Sequence, residues 1–265
     1  MIDRDRVVRF LAPCIREHAV ALVVSGLLVG STAVEPKTLY AADMSIGAGD
    51  CAAAGVSTAA ITNACNSNSG SITLYVSFQP PSPMGQFEAL IADVDIYTSP
   101  TSLSPWWHME QSPGPGCRAG KISVNANFTS GPTTCTDFWS GQATAGMVFG
   151  VNDLGLGPNT ANIRVVAGVP EEMRGSINSG TDYYAFSLTI LKTQSTGPGS
   201  CAGCSDRACF SLSGIALSQP APIPDQIISK GVQTVVTYNG GTGGPNCAAA
   251  VVQRGSWGAI KAIYR

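Results

Sequence analysis

The sequence predicts an all-β protein, a two-layer β-sandwich pinned by disulfides and followed by a short C-terminal helix. Three observations carry this. Apolar residues recur at every second position through several runs, the spacing of a half-buried strand. The chain holds 30 glycines and 17 prolines against only 12% charged residues, a composition of many strands joined by tight turns. Eight cysteines follow an export-type leader, as in disulfide-bonded proteins of oxidising compartments.

The leader comes first. Arg4, Arg6, Arg9 and Arg16 precede an apolar run from Ala19 to Gly30. A membrane span needs about 20 apolar residues and a signal h-region only about 7–15, so the run suits a signal peptide. Ser31-Thr32-Ala33 puts small residues where a signal peptidase cuts, which makes residues 1–33 the signal peptide. A cut near Ala41 or Ala42, or an uncleaved anchor, stays open. Nothing downstream is apolar enough to span a bilayer, so the mature protein is expected to be secreted, extracellular or periplasmic. Residues 43–240 then form the sandwich domain, and 241–265 a Gly-rich linker with a docking tail.

Asp43 to Ser69 is rich in Ala, Gly, Ser and Asn, with Cys51 and Cys65 expected to close a loop. Ile72, Leu74, Val76 and Phe78 alternate as one face of a strand, which Pro80-Pro81 ends. A second strand runs from Phe87 to Tyr97, with Asp93 and Asp95 predicted towards solvent. Further strands are expected at Lys121–Phe128, around Met147–Val151 and at Ile163–Ala167. Pro170-Glu171-Glu172 favours one helical turn. From Tyr183 to Leu191 the alternation puts Tyr184, Phe186, Leu188 and Ile190 on one face. Phe210–Leu217 and Gln226–Tyr238 complete the set. At the end Ser256 can cap a short helix with Trp257, Ile260 and Tyr264 on one side. Long helical patterns between strands are absent, which excludes an α/β fold.

The cysteines expected in disulfides are Cys51, Cys65, Cys117, Cys135, Cys201, Cys204, Cys209 and Cys247. Short loops favour Cys51–Cys65 and Cys117–Cys135, leaving Cys201, Cys204 and Cys209 to pair among themselves and with Cys247. Cys201-x-x-Cys204 could also hold zinc or work as a redox pair. Zinc wants a second ligand pair, and a redox motif sits by a βαβ unit; neither is present, so a structural staple is the stronger reading.

Charge and motifs narrow the function. Beyond residue 42 there remain ten basic and thirteen acidic side chains, without a basic patch, so nucleic-acid binding is not expected. His108 is the lone histidine after the leader and the single imidazole open to a catalytic triad, yet no Gly-x-Ser-x-Gly elbow accompanies it. Trp106 and Trp107 could stack on a sugar, with Trp139 as a further candidate, although adjacent tryptophans more often plug a core. Asp93 and Asp95 supply too few oxygens for a calcium site. No metal or other cofactor is implied.

Ala64-Cys65-Asn66-Ser67, Pro105-Trp106-Trp107, Gly199-Ser200-Cys201-Ala202-Gly203-Cys204 and the closing Trp257-Gly258-Ala259-Ile260-Lys261-Ala262-Ile263-Tyr264-Arg265 together resemble a group of secreted bacterial proteins. These share the Cys-x-x-Cys corner and a terminal Trp-Gly-x-Ile/Val-Lys-x-x-Tyr-Arg. The resemblance implies bacterial export and brings no activity or site residues. The strand order is similar to cohesin-like and immunoglobulin-like sandwiches, with a jelly roll as the other expectation. Three function classes follow: a non-catalytic envelope or extracellular protein with a structural, adhesive or ligand-binding role; a carbohydrate-binding module using Trp106 and Trp107; and a secreted hydrolase using His108. The first is preferred, with a glycan or a cell-surface protein as partner.

Overall fold

The computed structural model describes residues 43–51, 59–111, 114–128, 134–152, 155–229, 231 and 233–240. The expected signal peptide, Cys247 and the tail 241–265 with its helix lie outside the described residues. Within them the chain is a β-sandwich. Its strands in chain order are β1 (Asp43–Ala48), β2 (Ala60–Ile61), β3 (Ser71–Gln79), β4 (Met84–Phe87), β5 (Ala89–Thr98), β6 (Ile122–Asn125) and β7 (Thr144–Val151). There follow β8 (Thr160–Gly168), β9 (Gly175–Ile177), β10 (Tyr183–Leu191), β11 (Ala208–Ser218), β12 (Gln226–Ile228) and β13 (Val235–Tyr238). Among the described residues no helix is long and apolar enough to cross a membrane.

The smaller sheet has the order β1–β3–β10–β6, and the larger β2–β13–β11–β5–β8–β7 with β12 also paired to β11. Their inner faces meet in one core. On the larger sheet Leu90, Ala92, Val94 and Ile96 of β5 stand opposite Ala167, Val165, Ile163 and Ala161 of β8. Phe210, Leu212, Ile215 and Leu217 of β11 continue the same rows, and all twelve side chains are buried. Ile72, Leu74, Val76 and Phe78 of β3 face them from the smaller sheet. The short β4–β9 ribbon stands apart from both sheets in its pairing.

Several expectations change. The stretch 43–48, where the sequence pattern assigns no strand, is strand β1, with Met44 and Ile46 buried. Gln226–Tyr238 is two strands, and Glu171–Met173 is a single 3-10 turn. In β10 the register shifts between Tyr184 and Phe186. Tyr183 therefore pairs with Phe78 and Phe186 with Val76, while Tyr184 turns to the other face, opposite Ser77. There its hydroxyl donates to the Asn125 carbonyl at 2.7 Å. A bulge inserts one residue and flips everything beyond it, which strict alternation cannot register.

Asp93 and Asp95 do lie on the outer face of β5 but are not solvated. Arg164 Nε and Nη2 donate to the two carboxylate oxygens of Asp93 at 2.8 and 3.2 Å, and Asn162 Nδ2 donates to Asp95 at 2.7 Å. Both partners sit directly across the ladder on β8, where cross-strand neighbours cover one another.

Disulfide pairing is the largest correction. The bonds are Cys51–Cys135, Cys65–Cys204 and Cys117–Cys201. Neither expected local pair forms, and Cys201 and Cys204 each reach a distant partner. Loop closure costs grow only with the logarithm of loop length, so nearness in sequence is a weak guide to pairing.

Candidate functional site

The residues singled out from sequence lie in the crossover between β5 and β6. Pro105 starts a 3-10 turn over Pro105–Trp107, and both tryptophans are fully buried. The Trp106 indole N–H donates to Ser195 Oγ at 3.1 Å, and its backbone N–H to the Ala202 carbonyl at 2.8 Å. Trp106 packs edge-to-face on Trp107 at 4.9 Å and lies stacked near Tyr238 at 5.7 Å. Trp107 meets Tyr238 and Phe210 edge-on. Truncating such a tryptophan costs about 3–5 kcal/mol, so the pair belongs to the core in energy as well as position.

Arg118 completes this knot. Its guanidinium carbon lies 3.6 Å from the centroid of the Trp106 ring, a cation–π contact. Nη1 donates to the Trp106 carbonyl at 3.0 Å and Nη2 to that of Leu191. Burial brings the Arg118 pKa down to about 10, with the Tyr238 phenol opposing. Tyr238 is raised, chiefly by its own burial; it accepts a hydrogen bond from Asn63 Nδ2 at 2.8 Å and donates to the Cys204 carbonyl at 2.9 Å. Two disulfides flank the knot, through Cys204 and through Cys117, one residue before Arg118.

His108 sits at the edge, partly exposed. Nδ1 lies 2.6 Å from Glu110 Oε1 and Nε2 3.2 Å from the Leu103 carbonyl. Each ring nitrogen faces an acceptor, so neither offers a free lone pair to a substrate in this arrangement. The loop behind it is held by Arg118 N–H on the His108 carbonyl at 2.9 Å. Trp106, Trp107 and His108 are thus brought together, and the chemistry they share is packing. Trp139 lies elsewhere, buried against Phe87 and Phe138 with its indole N–H on the Ala185 carbonyl at 2.9 Å.

The Cys-x-x-Cys corner turns on Gly203, at φ +100°. A Cβ there would run into the Ser104 side chain and lie 2.7 Å from Asp206 Oδ2. Glycine is what lets the two cysteines diverge to opposite partners. Among the described residues Cys51, Cys135 and Asp182 could by distance share an ion, but the two sulfurs are joined to each other and have no thiolate to give.

Sequence reasoning missed the outer face of the larger sheet. One cross-strand row there runs Gly146–Val166–Ile91–Ala216–Ile227, with Val148 beside it. Val148, Val166 and Ile227 are 65%, 48% and 46% exposed. The row is legible only once strand order is known, because its members come from five separate strands.

The geometry defines a disulfide-pinned β-sandwich with its named aromatic residues in the core. No protein family and no curated protein matches the chain. Among solved structures it is similar to a type II cohesin domain from the cellulosome of Acetivibrio cellulolyticus, at 12% identity and TM-score 0.34, over 75% of this chain and 95% of that one. The second type II cohesin module of a cellulosomal adaptor scaffoldin from the same organism aligns at 11% identity and TM-score 0.26, over 75% and 85%.

Proposed function

We propose that the protein is an exported, non-catalytic adhesive module that binds a protein partner through the exposed aliphatic side chains on the outer face of its larger sheet. The observation that carries this reading is the exposure of Val148 and Val166 on the neighbouring strands β7 and β8, with Ile227 exposed on the same sheet face at the far end of the row. Single exposed aliphatics are ordinary, whereas several on one sheet face, two of them on adjacent strands, favour a contact surface. Branched aliphatic groups on a flat sheet suit an apolar protein patch; a sugar ring asks for an open aromatic face, and Trp106 and Trp107 have none to give. Three disulfides support an oxidising compartment outside the cytoplasm.

The test is retention of the purified protein on envelopes of its producing cells. The double variant Val148→Asp/Val166→Asp is expected to lose at least about tenfold in binding while keeping its melting temperature within a few degrees, since both side chains are on the surface. His108→Ala is expected to bind like the wild type. Undiminished retention of the double variant would remove the row from the reading.

A further inference from the structure

Strand β7 is an edge of the larger sheet that the fold leaves unguarded. The opposite edge, β2, is two residues long, and the β6 edge of the smaller sheet four. At β1 the Ile46 N–H donates to the Gln233 carbonyl at 2.8 Å, and Gln233 Nε2 donates to the Ile46 carbonyl at 2.9 Å, so that edge is occupied. β7 has eight residues, without a proline or a charge, and pairs with β8 alone among the described residues. Proteins keep such edges short or charged to prevent pairing with another chain, and β7 is neither.

The backbone fixes which groups that edge presents. Antiparallel strands bond through alternate residues. The Asn152 N–H donates to the Thr160 carbonyl at 3.2 Å, in step with the β7–β8 register, so Gly150, Val148, Gly146 and Thr144 also direct their N–H and C=O groups to β8. Ala145, Met147, Phe149 and Val151 direct theirs off the sheet, where no described residue bonds to them. The side chains of these same four residues are only half-buried against the core. An added strand would bond the free backbone groups and carry the sheet past those side chains.

The strand is its own complement. Outward from Val148 its residues match in kind: Met147 with Phe149, Gly146 with Gly150, Ala145 with Val151. An antiparallel pair centred on Val148 sets Met147 against Phe149 and Ala145 against Val151, all with outward backbone groups, and each such pair exchanges two N–H···O bonds. The glycines then face each other, and Val148 meets its own copy on the outer face. Val148 is the most exposed large apolar residue among those described, and burying it against itself removes that surface from water. β7 holds no ionisable side chain, so two copies meet without like charges opposed. We propose that two copies of this chain join through β7 in this register, an isologous contact that makes one continuous sheet of the two larger sheets. The inference goes beyond the adhesive reading, since it needs the edge of β7 and not Val166.

Disulfide trapping in the purified full chain tests the register. Facing residues of a non-hydrogen-bonded antiparallel pair stand about 4.5 Å apart at Cα, within the span of a disulfide. Val148→Cys is therefore expected to form a covalent dimer on mild oxidation. Gly146→Cys, on the same face and with open space at its Cβ, would lie about 13 Å from its copy and is expected to stay unlinked. Sedimentation velocity is expected to show a dimer for the wild type and for Val166→Asp. Val148→Lys, which opposes two ammonium groups across the two-fold axis, is expected to be a monomer. A monomeric wild type, a Val148→Lys protein that still dimerises, Val148→Cys left unlinked, or Gly146→Cys linking as readily would each overturn the proposal. A wild type that dimerises without binding envelopes would bear out this contact and count against the adhesive reading alone.

Discussion

A single carboxylate is where pH should act on this protein. Asp182, just before β10, has Oδ2 buried without a hydrogen-bond partner among the described residues. Burial raises its pKa from 3.8 to about 7; the Ser77 hydroxyl opposes this and the Asp43 charge adds to it. The folded protein therefore holds a proton between about pH 4 and pH 7 that the unfolded chain has released. Stability from this group is full below about pH 4 and is lost as pH rises through about 7. The ceiling is about 4 kcal/mol, and solvent reaching the half-buried side chain brings it to about 1–2 kcal/mol. Urea midpoints at pH 4.5 and 7.5 are expected to fall with rising pH in the wild type by more than in Asp182→Asn. Identical slopes in the two proteins would show that Asp182 titrates normally.

At the scale of elements, the strands that alternate cleanly were legible in the sequence: β3, β5, β8 and β11 appear within a few residues of their expected ends. Others escaped for physical reasons. Strand β1 is built on Asp-Met-Ser-Ile-Gly-Ala, whose small residues resemble a loop until Ile46 packs against β3. The β10 bulge is a backbone event with no side-chain signature. Asp93 and Asp95 were assigned the right face and the wrong environment, because the Arg164 and Asn162 that cover them lie about 70 residues away in sequence. Trp106, Trp107 and His108 were found as neighbours; whether they line a cleft or a core depends on how deep the crossover sits, which spacing does not encode. The Cys-x-x-Cys corner was rightly read as a staple, yet its turn is the testable part. Gly203→Ala must move Ser104 or Asp206 and adopt φ near +100°, at a cost of about 2–3 kcal/mol. Thermal unfolding is expected to show a drop of several degrees, and a Tm within one degree of wild type would mean the corner yields freely.

For the molecule as a whole, the decisive segment is the crossover from β10 to β11, where the chain passes from the smaller sheet to the larger. Cys201 and Cys204 tie it to the stretch before β6 and to the loop between β2 and β3. A crossover held at two points fixes how the sheets face each other and pins Trp106 between them. Chain entropy alone predicts nearly equal contributions from the bonds: sequence separations of 139 for Cys65–Cys204 and 84 for Cys51–Cys135 differ by only about 0.5 kcal/mol in closure cost. Packing predicts otherwise. Cys204 lies in the buried polar knot, its sulfur 3.4 Å from Asn63 Nδ2 and its carbonyl accepting from both Tyr238 and Asn239. By contrast Cys51–Cys135, also buried, joins the stretch after β1 to the one before Thr136, and among the described residues the Cys51 carbonyl accepts from Thr134 alone. Cys65→Ala/Cys204→Ala is therefore expected to lose about 4 kcal/mol in urea unfolding, at least about 1 kcal/mol more than Cys51→Ala/Cys135→Ala. Equal losses, within about 0.5 kcal/mol, would show that the bonds act only on the unfolded chain and that the knot around Tyr238 holds without its disulfide.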